Sequence, residues 1–292
     1  MKTIIDISHP IRSSDPCSFG TSENIPEISY EEGESHGTFF ITSRIDNLHS
    51  NTCTHIDFPG HLFGLAETFA KSIGKYPVER FVGPVAILDF SAKIDLIRPF
   101  FDDAGMLTIK PGDQENLDKF FHSLEKLEIT ATELQKALDR CGDTSSVKGF
   151  IFYTGHSRLW QYKKFESWQY LYFYNPFLSE DACEIILSRR LSFVGIDSFQ
   201  LEHPIINFRG DELPVVTSPT EREFIAKKLS EINTKFSNHL ALLGCDILIY
   251  ENLNLPPECR NRIAEFSGAP LNFQIEGLND NGLARPYISF VV

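Results

Sequence analysis

Short apolar runs recur along the chain, and those at Thr3 to Ile7, Gly37 to Arg44, Pro84 to Phe90, Val147 to Thr154, Ser192 to Ile196, Asp246 to Tyr250 and Tyr287 to Val292 read as strands. Between them the apolar positions shift to helical spacing. Thr130 to Leu138 carries apolar residues at 131, 134, 137 and 138, with Thr130 and Glu133 at the spacing of a capping box. Ser179 to Leu187 opens on an N-cap serine followed by Glu180 and Asp181, then leads into the strand at 192–196. Glu221 to Leu243 is a long amphipathic pattern that Gly244 stops just before the strand at 246–250. Strands interleaved with helices predict an α/β chain whose opening third is strand and loop. Residues 93–128 and 202–222 interrupt the alternation. They read as polar, irregular insertions at the edge of a single domain spanning residues 1–292.

Composition narrows the partners. At 292 residues, 42% hydrophobic and 23% charged, the chain can bury a full core. Most of the 25 phenylalanines belong there. A net charge of −13 argues against nucleic acid or an anionic membrane, either of which needs a concentrated excess of Lys and Arg. The six cysteines form no C-x-x-C pair, and a chain this large without an apolar leader is not expected to rest on disulfides. No run approaches the apolar length of a membrane span, so a cytoplasmic location is expected.

Candidate chemistry concentrates in Asn51-Thr-Cys-Thr-His-Ile-Asp-Phe-Pro-Gly-His61. His55 and Asp57 are two apart, so a strand turns both to one face. Pro59-Gly60 then bends the chain, which can return His61 toward them. Imidazole beside carboxylate suits a divalent ion such as Zn²⁺ or Mn²⁺. A cavity site draws on separate segments, and the spacing of His239 and Glu251, on a helix and the strand after it, is compatible with a second contribution.

These segments resemble the cyclase family of metal-dependent hydrolases, which includes kynurenine formamidase (arylformamidase) and isatin hydrolase. The family pattern H-x-G-T-H-x-D-x-P-x-H corresponds to Asn51 through His61. Further likenesses follow in order: Ile5-Asp6-Ile7-Ser8-His9-Pro10, Tyr153-Thr154-Gly155-His156-Ser157, Val194-Gly195-Ile196-Asp197-Ser198, the His239 and Glu251 segments, and Gly268-Ala269-Pro270-Leu271-Asn272-Phe273. The resemblance implies a compact swivelling β/β/α domain, a mixed sheet with flanking helices, usually dimeric, with one or two ions. Positions matching Asn51, His55, Asp57 and Glu251 would hold one ion, and Asp57, His239 and Glu251 a second. His61 would move protons, and Phe19 is a candidate for stacking on an aryl substrate. The implied activity is hydrolysis of a C–N bond in an aryl formamide or cyclic amide by a small-molecule enzyme.

Two positions depart from the pattern: Asn51 stands where the family has histidine and Cys53 where it has glycine. An amide oxygen is a weaker ligand than imidazole, so the alternative is a catalytically silent relative that binds a small ligand. His49 shares strand parity with Asn51 and could substitute, and Cys53 reads as a small residue filling the glycine's space.

Overall fold

The computed structural model describes residues 2–11, 27–35, 38–46, 48–63, 73–102, 108–110, 112–162, 174–203, 236–272 and 281–291. Phe19, most of the 202–222 insertion and residues 221–235 of the long helical pattern lie outside them. Along the chain the strands are β1 (Lys2–Asp6), β2 (Glu27–Ser35), β3 (Thr38–Asp46), β4 (His55–Asp57), β5 (Val82–Asp89), β6 (Glu128–Ile129), β7 (Gly149–Tyr153), β8 (Phe177–Leu178), β9 (Phe193–Ile196), β10 (Leu248–Glu251), β11 (Arg262–Ser267), β12 (Asn281–Leu283) and β13 (Tyr287–Val291). The α-helices are α1 (Gly60–Phe63), α2 (Gln114–Glu125), α3 (Ala131–Cys141), α4 (Glu180–Ser188) and α5 (Ser237–Gly244).

Nine strands join in one mixed sheet, in the order β1-β13-β11-β5-β7-β9-β10-β4-β12. β5, β7, β9 and β10 run parallel at its centre. β7, β9 and β10 are buried along their whole length, as parallel strands covered on both faces must be. Period-two alternation sends Phe150 and Phe152 to one face, where they meet Leu134 and Leu138 of α3, Ile186 of α4 and Leu242 of α5. Ile151 and Tyr153 go to the other face, with Ile56, Phe58, Tyr250 and Phe266. Burying each such side chain stabilises the fold by about 1.5–3 kcal/mol. The capping box at α3 is present: the Thr130 hydroxyl accepts from the Glu133 amide, and the Glu133 carboxylate accepts from the Thr130 amide.

Within 93–128 the described residues include a helix, where the sequence reads as irregular. α2 buries Leu117, Phe120, Phe121 and Leu124 against Ile94, Ile97, Phe101 and Phe177 in a cluster of its own. Those four positions follow the helical i, i+3, i+4, i+7 rule, and Asp113 caps the helix by accepting from the Asn116 amide.

Among the described residues β2 and β3 pair only with each other. Their register sets Ile28 opposite Ile45, Tyr30 opposite Ser43, Glu32 opposite Ile41 and Glu34 opposite Phe39, so Ile28, Tyr30, Phe39, Ile41 and Ile45 share one face of a ribbon with Glu32, Glu34 and Ser43. Tyr30, Phe39 and Ile41 on that face are largely exposed in the single chain.

The Thr154 and Asp197 segments meet at the ends of β7 and β9. The buried Asp197 carboxylate accepts from the Thr154, Gly155 and Ser157 amides and from the Thr154 and Ser157 hydroxyls. Among the described residues Cys141, Cys183, Cys245 and Cys259 are free. Among the described residues no helix is long and apolar enough to cross a membrane.

Candidate functional site

β4 lies between β10 and β12 near one end of the sheet. Directly opposed residues of antiparallel strands point to the same face. The register sets His55 opposite Glu251 and Asp57 opposite Asn281, while Ile56 and Tyr250 turn the other way into the core. One face of the sheet therefore collects an imidazole, two carboxylates and an amide. α5 packs over that face through Leu242 and Leu243, in the same apolar cluster as Ile249, and carries His239 to the group. His239 lies in the first turn of α5, not near the end of a longer helix as the sequence pattern suggested.

His55 Nε2 is 3.5 Å from Asp57 Oδ1 and 3.4 Å from Glu251 Oε2. His239 Nε2 is 3.5 Å from Asp57 Oδ2 and 3.1 Å from Glu251 Oε1. Each carboxylate thus offers one oxygen to each imidazole, and all four side chains are buried. The His55 ring is set by its Nδ1–H, which donates to the Cys53 carbonyl at 2.9 Å. Cys53 reaches that carbonyl position in the left-handed backbone region, φ +56°. Glycine enters that region without strain, which gives the family's glycine its physical reason. Cys53 is buried, as a residue filling the glycine's space would be. Thr54 ties the strand in place: its hydroxyl donates to the Asn252 carbonyl and accepts from the His9 amide.

Burial disfavours the charged forms of His55, Asp57 and His239 and is the largest single influence on each of the three. For His239, hydrogen bonds with Asp57, Glu202 and Glu251 outweigh it and hold the imidazole well above its ordinary range. His55 is raised as well, over burial, by Glu251 and Asp57. Asp57 is lowered, over burial, by its bond with His239 and the charges of His61, His55 and His239. His61, on the short helix α1, is partly exposed and lies close enough for its charge to act on Asp57.

Asn51 lies in the turn that leads into β4. Residues 49–54 form a turn, with the Thr52 amide donating to the His49 carbonyl, so strand parity does not govern them. His49 is exposed, and among the described residues no hydrogen bond or ion pair joins His49 or Asn51 to the cluster. Two participants are absent from the sequence reading. Asn281 donates from Nδ2 to Asp57 Oδ1, and Glu202 accepts from His239. Neither falls in a motif. Asn281 shows itself only through the β12–β4 pairing, and Glu202 only once the start of α5 is known.

The donor set fits a divalent cation. Ligand atoms of His55, Asp57 and Glu251 lie within 4.8 Å of one another. Donors around a tetrahedral ion at 2.0–2.1 Å stand about 3.3 Å apart. The imidazole–carboxylate distances of 3.1–3.5 Å bracket that spacing. Nitrogen and carboxylate donors suit Zn²⁺ or Mn²⁺.

The Cyclase family model matches residues 5–203, more than half of the chain. The chain belongs to the cyclase family. Among solved structures, this cyclase is similar to an isatin hydrolase bound to thioisatinate, with a TM-score of 0.66 and 15% identity over 99% of this chain and 92% of that one. Isatin hydrolase A from Labrenzia aggregata gives 0.63 and 14% over 98% and 93%. A predicted metal-dependent hydrolase from Bacillus stearothermophilus gives 0.57 and 19% over 99% and 98%. At these identities the likeness speaks for the fold alone. No curated protein matches the sequence.

Proposed function

We propose that this cyclase is a divalent-metal-dependent hydrolase that cleaves a C–N bond of an aryl formamide or cyclic amide. The observation that carries the reading is the meeting of His55, Asp57, His239 and Glu251 in one buried cluster. These residues would hold Zn²⁺ or Mn²⁺, and the split of each carboxylate between two imidazoles supports two ions rather than one. Such a cation supplies a Lewis acid for the substrate carbonyl and a water acidic enough to react near neutral pH. In hydrolysis the water oxygen bonds to the carbonyl carbon, the C–N bond breaks, and a proton passes to the leaving nitrogen. His61 is partly exposed beside Asp57, where an imidazole can carry that proton.

Protein stripped of metal and reloaded with Zn²⁺ or Mn²⁺ is expected to cleave members of a panel of aryl formamides, lactams and lactones. Cleavage of none by the loaded protein rules the reading out. The weaker amide ligand of Asn51, where the family has histidine, favours one alternative, a silent relative that binds a small ligand. Metal analysis separates the two, since an enzyme carries near-stoichiometric metal and a silent relative little.

The family resemblance also supports a homodimer, and the apolar face of the β2–β3 ribbon is surface that a second copy would cover. Light scattering coupled to size exclusion is expected to give twice the chain mass of 33.2 kDa, and a monomer at micromolar concentration refutes it.

A further inference from the structure

Glu202 is a buried carboxylate outside the cation cluster, and a single oxygen of it, Oε1, accepts two N–H groups of one residue. The His239 backbone amide donates to it at 2.7 Å and His239 Nδ1 at 3.0 Å. The backbone bond has a local cause. α5 starts after Phe236, which has no side-chain acceptor for the open amides of the first turn. His239 is the third residue of that turn, the position an N-cap side chain normally serves, and Glu202 serves it from 37 residues away. A carboxylate there also faces the positive end of the helix dipole.

The ring bond has a chemical consequence. Imidazole has two nitrogens, and whichever keeps its proton leaves the other free to ligate. With Nδ1–H given to Glu202, Nε2, which faces Asp57 and Glu251, is the nitrogen whose proton a cation would displace. The Glu202 segment is itself held: Asn175 Nδ2 donates to the Gln200 and Glu202 carbonyls, and Asn238 Nδ2 to the Leu201 carbonyl. His55 is treated differently, since its Nδ1–H meets only the neutral Cys53 carbonyl. A charged acceptor raises the basicity of the ring more than a carbonyl does, and outer partners of this kind alter metal affinity by about 10–100-fold.

We propose that Glu202 is the positioning residue of the site, fixing the His239 ring with Nε2 toward Asp57 and Glu251 and so setting cation affinity. The proposal rests on the metal-site reading only for its affinity arm. The test uses the full-length protein as wild type, Glu202→Gln, Glu202→Ala, His239→Ala, and Glu202→Ala combined with Phe236→Asp. The last variant returns a local acceptor to the start of α5; because it also removes the Phe236 ring, which packs edge-on against the His239 ring with centroids 5.8 Å apart, Phe236→Asp alone is measured beside it. Zn²⁺ binding is measured by calorimetry, thermal stability by circular dichroism, and the exchange-protected Nδ1–H proton of His239 by NMR on the zinc-free protein. Glu202→Ala is expected to lose that proton signal and about 10–100-fold in Zn²⁺ affinity, with Glu202→Gln between it and wild type. Adding Phe236→Asp should recover thermal stability and leave both the affinity and the signal lost. If it restores affinity as well, Glu202 is only a helix cap and the proposal is overturned. An unchanged ring signal in Glu202→Ala overturns it too. Should the wild type bind no Zn²⁺, the metal reading falls, while the ring signal still decides what Glu202 does.

Discussion

Asp57→Asn is expected to abolish near-stoichiometric uptake of Zn²⁺ or Mn²⁺. Asp57 faces both imidazoles, one with each oxygen, so its loss removes a donor from both halves of the cluster at once. Asparagine keeps the shape and replaces an anionic oxygen by an amide, which removes charge without opening a cavity. The drop in affinity should exceed the ~10–100-fold typical of partners outside the ligand shell. Equilibrium dialysis followed by elemental analysis measures it, and a stoichiometry equal to wild type would show that the cluster is a hydrogen-bond network with no part in metal binding. His61→Ala should behave differently, keeping the metal, because the proposal gives His61 proton transfer and not ligation.

The second large effect concerns the frame. Asp197→Ala removes the common acceptor of three amides and two hydroxyls at the ends of β7 and β9. Amides left buried without a partner cost about 1–3 kcal/mol each, so a net destabilisation of about 3–5 kcal/mol is expected in urea unfolding. The effect depends on pH in a definite sense. Burial pushes the Asp197 carboxyl up to about 6, over the opposing pull of Thr154 and Ser157. A carboxyl whose folded value exceeds its unfolded value of 3.8 stabilises the fold fully below about pH 4, and that contribution fades as pH rises through about 6. The gap between wild type and Asp197→Ala should therefore be widest in acid and shrink toward neutrality by about 3 kcal/mol. A gap that widens toward neutral pH would mean that the five donors, not burial, govern this carboxyl.

The parts of the site that follow from local spacing were legible in the sequence. His55 and Asp57 share a face because they are two apart on a strand, and the register confirms that face. Glu251 closes β10 as the strand pattern implied. The strands of the central sheet and the capping box of α3 were legible for the same reason, since each is written in consecutive residues. What escaped depends on pairing across distance or on backbone shape. Asn281 reaches Asp57 only because β12 pairs with β4, and nothing local marks it. The parity argument for His49 and Asn51 failed because a turn, not a strand, precedes His55. The left-handed backbone at Cys53 underlies that turn's exit and cannot be read from a cysteine. α2 was visible in principle, but its buried leucines and phenylalanines are separated by charged residues that made the segment look like loop.

The bond between Asn281 and Asp57 joins groups 224 positions apart, and β12 must lie beside β4 for it to form. Ordering so long a loop costs entropy before any contact repays it. A nascent chain emerging from the ribosome therefore carries His55 and Asp57 for most of its synthesis without the rest of their coordination sphere. If the cluster holds the proposed cation, its capture is expected late in maturation, as a seal on a finished scaffold rather than a template around which it condenses.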